Sequence, residues 1–594
     1  MRLKRCVMLA VFTAGLVLLA TSPGWSAEKL PSPDQLRKEV KQLRQAGKEK
    51  DEILKILTTK YKGLDLKGLA ALGGKDKGGK SAAPEIVTKP LTFAAPARTA
   101  KPAREIARLI DTHIEKTLKD AKLTASPLCS DDEFVRRAYL DITGVIPTAD
   151  QARTFFDSKE PNKRATLIDQ LLASPNFGRH MADLWQAKLY PKDSTNRFLL
   201  KQPFVDWMAE SFNKNMPWDQ FVTNILAGSG TVGENPAVTF ILANQAVDKL
   251  TDHVGNHFLN IQLQCAQCHN HPFIKDWKQE DYWGVAAFFS KVQADKPRNA
   301  NKGGDNSLIG VVDSNTRSKS KDFFPEATKD VAPKYFKSET AAIAPTEALR
   351  PVLTKWMTSP SNPFFAKAMV NRTWAQLFGP GFVNPIEDMH DDNPASHPEL
   401  FLAMAEEFGH TGYDLKNLFR SICNSQTYQR TSKPNDLNKD DSDFFSHQTV
   451  KVMTPEQLYD SLNLLSAPEG KVNKGKAQDQ PKKGANGPRD QFVNFFLAGA
   501  EEPSTTEFEM GIPQALKLMN SRAVTAGKVL QDVSKSADPA MVIEKIYLST
   551  LSRRPTTSES KRLADYVAKN GTNPTTFGDI LWAVLNSSEF TMVR

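Results

Sequence analysis

The chain has 594 residues, 40% of them hydrophobic and 24% charged, with a formal charge of +9. That length admits two or three domains with cores of their own, and five cysteines are too few for a disulfide scaffold. Much of the basic excess sits in low-complexity stretches, so it reads as solvated linker and argues against a nucleic-acid footprint.

The first 27 residues have the layout of a secretory signal peptide. Arg2, Lys4 and Arg5 form a positive start, Val7 to Ala20 an apolar run, and Gly24, Ser26 and Ala27 supply small residues for cleavage. The run is shorter than the ~20 apolar residues that a membrane helix needs. The mature protein is therefore expected to be exported, periplasmic or secreted, with no transmembrane anchor after cleavage. Loss of Cys6 would leave Cys129, Cys265, Cys268 and Cys423.

Residues 28–65 read as a helical segment. Leu36, Val40 and Leu43, then Ile53, Leu54 and Leu57, recur at helical spacing, with a break at Gln45-Ala46-Gly47. Residues 66–102 are rich in Gly, Ala, Lys and Pro and read as a flexible linker. A globular texture begins at Ala103, where Ile106, Ile110, Ile114 and Leu118 make one apolar stripe that also carries His113. Ser130 to Glu133 and Thr148 to Gln151 read as capping boxes. Further short helices follow to about 290 with no sustained period-2 alternation. Gly228 to Gly233 matches G-x-G-x-x-G literally, but it follows a predicted helix and not a strand, so it is read as a helix end and loop.

Residues 291–345 read as a connector, with Ile309 to Val312 its plausible strand. A second helical domain spans 346–594. Asn362-Pro363, Ser396 to Glu399 and Thr454 to Gln457 mark helix starts. A basic insertion occupies 470–490, and helices are predicted over 513–530, 538–551, 558–568 and 576–588. The fold class is mainly α: two packed multi-helix domains, a tethered N-terminal helical segment and long irregular connectors.

The chemistry concentrates at Cys265-Ala266-Gln267-Cys268-His269. Cys-x-x-Cys-His is the spacing that attaches a c-type haem: two thiols for the vinyl groups and an adjacent imidazole as proximal iron ligand. With five Cys and ten His in the chain, chance supplies the pattern roughly 0.0007 times per chain. His253 and His257, four apart on one helix face, and Met389 are candidates for the opposite iron position, while His271 is too close to His269 to reach it easily. Two other readings stay open. The same His253, His257, Cys265, Cys268, His269 and His271 could hold zinc or non-haem iron, or Cys265 and Cys268 could form a local disulfide. Glu387, Asp388, Asp391 and Asp392, around Met389 and His390, read either as solvated loop charges or as a cation site. Cys129 and Cys423 read as small buried hydrophobes, and Arg136, Arg137 and Asp141 as an internally paired set. Neither a serine-hydrolase elbow nor a phosphate-binding loop of the Walker type is present.

Several segments also carry a resemblance. Phe134 to Asp141, Gly144, Pro147-Thr148 and Leu171 to Pro175 form the first group, followed by Leu263 to Phe273 around the cysteines and Asp281 to Gly284. Trp356 to Pro360, Asn362 to Ala366, Val370 to Trp374, Ser396 to Leu400, Ser425 to Tyr428 and Asn586 to Phe590 form the second. Over roughly 105–290 and 345–594 the chain resembles the planctomycete cytochrome-associated family, in which a cytochrome-like N-terminal domain of unknown function precedes a secreted C-terminal one. The resemblance implies an exported, mostly helical, cytochrome-linked protein and brings no settled reaction with it. The function expected from residues and resemblance together is c-type-haem-linked redox chemistry or electron transfer with a redox partner protein. The alternative is a non-enzymatic helical scaffold or binding protein held by a Cys/His metal site or a local disulfide. Substrate, oligomeric state and enzymatic character are left open by the sequence.

Overall fold

The structure, a computed structural model, describes residues 56, 100–191, 199, 201–295, 309–314, 331–338, 341, 343–344, 347–466, 487–497 and 538–594. The expected signal peptide, the expected 28–65 segment apart from residue 56, nearly all of the expected 66–102 linker, most of the expected 470–490 insertion and the helix expected at 513–530 lie outside these residues. From residue 100 onward, the described residues belong to one compact unit, Thr88–Arg594.

The described residues are mainly helical, as the periodicity predicts. Helix α1 (Ala103–Asp120) buries Ile106, Ile110, Ile114 and Leu118, while His113 stays partly exposed, 3.8 Å from Glu399. Helix α2 (Asp131–Thr143) is buried almost all round. Such a helix cannot sit on a surface; it is wrapped by other elements on every side. It is followed by α3 (Ala149–Asp157), α4 (Lys163–Ala173), α5 (Pro175–Leu189), α6 (Lys201–Asn213) and α7 (Trp218–Ala227).

Two of the capping boxes form. Thr148 and Gln151 exchange side-chain and backbone hydrogen bonds at the start of α3, and Thr454 and Gln457 do the same. The box expected at Ser130 to Glu133 does not. Ser130 makes no side-chain cap bond, because the Glu133 carboxylate turns inward to Arg137 (2.7 Å), the Thr431 hydroxyl (2.7 Å) and the Ser432 N–H (2.6 Å). A buried carboxylate needs that many partners, and they outbid one exposed backbone donor.

The glycine-rich stretch after α7 forms strand β1 (Gly230–Thr231). It pairs antiparallel with β3 (Gly310–Asp313), which also pairs with β2 (Val292–Asp295). The strand expected at 309–312 is thus present in the described part of the connector. The end of α7 is held by Arg350, whose guanidinium donates to the carbonyls of Leu226 (3.0 Å) and Gly228 (2.8 Å) and pairs with Asp313.

One apolar core runs from Ile106 to Phe445 and so includes residues of both predicted domains. A second gathers Leu140 and Ile146 with side chains between Met453 and Val593. Its helices α17 (Pro539–Leu551), α18 (Thr557–Asn570) and α19 (Pro574–Leu585) lie where the sequence predicts them. Helix α2 contributes to both cores, through Phe134 and Ile142 to the first and Leu140 to the second.

The chain leaves α2 through Gly144, at φ +71°. A Cβ there would come within 2.6 Å of the His180 Nδ1. Gly144→Ala is therefore expected to cost about 2–4 kcal/mol, from left-handed strain plus overpacking. Urea unfolding followed by circular dichroism would measure it, and a change below ~1 kcal/mol would show that the site relaxes freely.

Candidate functional site

The candidate site is built on an interrupted helix. Helix α9 (Val247–His253) runs directly into a π-helical turn, Val254–Leu259. Such turns are rare and recur at functional sites. The turn ends at Asn260, in the left-handed region at φ 54°. Gly255 lets the chain fold back, since a Cβ there would lie 2.7 Å from the Ile261 carbonyl oxygen. A short 3-10 turn, Leu263–Ala266, follows. Its Leu263 and Ala266 are buried, and this anchors the turn while Cys265 points outward.

Cys265 and Cys268 are both exposed and unpaired. His269 is exposed beside them, with its Nδ1 2.6 Å from the Asn270 carbonyl oxygen. The segment is tied to helix α10 (Gln279–Ala286). The Gln267 carbonyl accepts from the Trp283 Nε1 and the Gln279 Nε2, each at 3.0 Å, and the Asn270 Oδ1 accepts from the Gln279 N–H at 3.0 Å. The backbone N–H of His271 donates to the Trp277 carbonyl. The His271 Nδ1 accepts from the N–H groups of Phe273 (3.3 Å) and Ile274 (2.9 Å), so the neutral ring carries its proton on Nε2. Phe273 next to it is 82% exposed.

The surroundings are acidic. Burial raises the Cys265 thiol above its ordinary value, and the Asp388 and Asp252 carboxylates push it the same way. Burial also holds Asp252 at about 6, although it accepts a hydrogen bond from the Tyr282 hydroxyl at 3.1 Å. Burial lowers His271, and the neighbouring His390 adds to this.

The other candidate ligands lie deeper. The His253 Nε2 is 2.9 Å from the Asn244 Oδ1, and its ring meets Phe240 edge-on. Burial holds it at about 4. The His257 ring is 5.1 Å from that of His253, and its Nδ1 is buried without a partner. Burial lowers it well below the ordinary histidine range, so both rings are neutral. Met389 is buried and donates its N–H to the Asn260 carbonyl at 2.8 Å. Arg372 reinforces this junction, donating to the Asn256 carbonyl (3.0 Å) and the Asn260 Oδ1 (2.9 Å).

The acidic cluster is divided among separate partners. Glu387 pairs with Arg372 (3.1 Å), Asp388 faces His390 (3.6 Å) and Asp391 faces Lys337 (3.6 Å). Among the described residues, no group of three or more His, Cys, Asp or Glu side chains is arranged to hold a metal ion. Two exposed, unpaired thiols and an exposed imidazole lie within five residues of chain, a donor set of the kind that covalent haem attachment would use. Sequence reasoning missed the π turn, the left-handed Asn260 and the Asp252–Tyr282 pair. Each depends on contacts made outside the motif itself.

Residues 109–294 match the family PSCyt2, described as a protein of unknown function (DUF1549), and residues 349–506 match PSD1, described as a protein of unknown function (DUF1553). The two occur in the order of the planctomycete-type pairing, and Cys265 to His269 fall inside the first match. No curated protein and no solved structure matches the chain. Among the described residues, no helix is long and apolar enough to cross a membrane.

Proposed function

We propose that this is an exported protein carrying haem c on Cys265 and Cys268, with His269 as proximal ligand, which exchanges electrons with a redox partner protein. The observation that supports this reading is the pair of free, exposed thiols and the exposed imidazole in one short segment, whose Gln267 carbonyl is held by Trp283 and Gln279. When bound, the haem would supply one-electron chemistry tuned by its axial ligation. The protein's own part is to present the two thiols and the imidazole at fixed spacing. Trp283, Gln279 and the buried Leu263 and Ala266 tie the backbone of that segment to its surroundings. A thiol–disulfide role is less well supported, because catalytic thiols of that kind need a lowered pKa and Cys265 has a raised one. His257 keeps an unpartnered ring nitrogen, and Met389 a thioether, as candidates for the opposite ligand.

Expression with the native leader in a host equipped for cytochrome c maturation tests the proposal. A c-type pyridine haemochrome spectrum and a covalent mass increment are expected, both lost in the Cys265→Ala, Cys268→Ala double variant. Haem-free protein from a competent host would overturn the reading in favour of a helical scaffold.

A further inference from the structure

Three imidazoles gather at the cysteine motif: His269, His271 and His390. The Trp277 ring lies between the last two, 5.3 Å from that of His271 and 6.0 Å from that of His390. A neutral imidazole carries a proton on one nitrogen and a lone pair on the other, and only the lone pair can bind a metal. The hydrogen bonds decide which nitrogen is which. A carbonyl oxygen can only accept, so the His269 Nδ1, 2.6 Å from the Asn270 carbonyl oxygen, holds the proton and leaves the lone pair on Nε2. His271 is set the other way, because its Nδ1 accepts from the N–H groups of Phe273 and Ile274. His390 follows His271. Its Nδ1 accepts from the Asp392 N–H at 3.2 Å, and its Nε2 faces the Asp388 carboxylate. The lone pairs of His271 and His390 are engaged by backbone donors, while that of His269 sits on an exposed ring.

The carbonyl that orients His269 is itself held. It shares a planar peptide unit with the His271 N–H, which donates to the Trp277 carbonyl at 2.9 Å on the opposite edge. The Asn270 side chain supplies the second hold, its Oδ1 accepting from the Gln279 N–H at 3.0 Å. Gln279 is the first residue of α10, where a backbone N–H has no partner within the helix. The turn is thus fixed to α10 by a bond that depends on the identity of residue 270.

We infer that Asn270 is the positioning residue of the motif: it fixes His269 as the one imidazole of these three that offers a lone pair to a metal. The inference rests on the haem reading only for the identity of that metal. Nitrogen-15 NMR of the histidine-labelled, haem-free chain tests it at a pH of about 8, where exposed rings are neutral, with His269→Gln assigning the signals. His269 is expected to carry its proton on Nδ1 and His271 on Nε2. Asn270→Ala should convert His269 to a mixture of both forms, and Asn270→Asp, which keeps an acceptor for the Gln279 N–H, should restore the native form. A residue that served folding alone would leave this signature in place. In the haem-loaded chain Asn270→Ala should also raise the reduction potential, because a ligand that donates its Nδ1 proton is the stronger electron donor and favours ferric iron. A native His269 protonated on Nε2, a tautomer that Asn270→Ala leaves unchanged, or an unchanged potential would overturn the inference. The native spectrum decides even if the alanine variant does not fold. Failure to attach haem would overturn the haem reading instead, and the inference would then stand or fall on the NMR result.

Discussion

Arg136→Ala is expected to destabilise the protein by about 3–5 kcal/mol, the range for stranding the partners of a buried charge. Arg136 is completely buried on α2. Its Nε donates to the Met592 carbonyl at 3.1 Å, one terminal nitrogen to the Thr550 carbonyl at 2.8 Å, and the other to the Phe590 carbonyl. Thr550 lies in the last turn of α17, where the helix dipole favours a cation. Burial pulls Arg136 down to about 9, still above neutral pH, so it stays charged. Alanine would leave three buried carbonyls without donors and open a cavity between α2 and the C-terminal helices. Arg136→Lys keeps the charge but loses the planar fork, so a smaller loss is expected. Urea unfolding gives the magnitude, and limited proteolysis should show residues 538–594 becoming susceptible first. A loss under ~1 kcal/mol for Arg136→Ala would mean that the α2 contact does not hold the C-terminal helices in place.

Stability is expected to fall steeply as pH drops from about 6.5 towards 4. Burial holds His180, His253 and His397 each at about 4. For His180 burial, with Lys451 and Arg489 in the same direction, outweighs the upward pull of the Asp183 and Asp141 carboxylates. The His397 Nε2 is buried without a partner, which fits a neutral ring. Between pH 4 and 6.5 the unfolded chain binds protons at these rings and the folded chain does not, so stability rises with pH across that window. It is complete above the unfolded pKa and is lost as pH falls through the folded one. Each ring contributes up to about 3 kcal/mol. Asp252, held at about 6, acts in the opposite direction, because its folded form keeps a proton that the unfolded chain releases. Glu133 is held below its ordinary value, with Arg137, Ser432 and Thr431 overcoming its burial, and Glu559 is held at about 2, chiefly by Arg553. Both lose their contribution only below about pH 4.5, so above that the histidines set the slope against the opposing, smaller contribution of Asp252. Urea midpoints at pH 7, 5.5 and 4.5 should fall in order, and His180→Asn should flatten the trend. A midpoint that stays constant across this window would refute the assignment of buried neutral rings.

The parts of the molecule that the sequence alone determined are local. Helical stripes such as Ile106 to Leu118, the capping boxes at Thr148 and Thr454, the strand at 309–312 and the Cys265–His269 spacing rest on neighbours within a few residues of each other. Backbone geometry alone brings such residues together. Only the tertiary structure decided the rest. Arg136 and Arg137 sit on one helix, as their spacing implies, but apart from Glu133 and Cys129 their acceptors come from Tyr428, Arg430, Thr550, Ser552, Phe590, Met592 and Arg594. Asp141 likewise finds Tyr428 (2.9 Å) and Lys451 (2.7 Å), residues about three hundred positions away. No periodicity specifies such pairings. They form because a buried charge must be satisfied by whichever groups the packed chain brings to it. The same requirement drew Glu133 away from its capping box, while burial of apolar surface joined residues of the two predicted helical domains in one core.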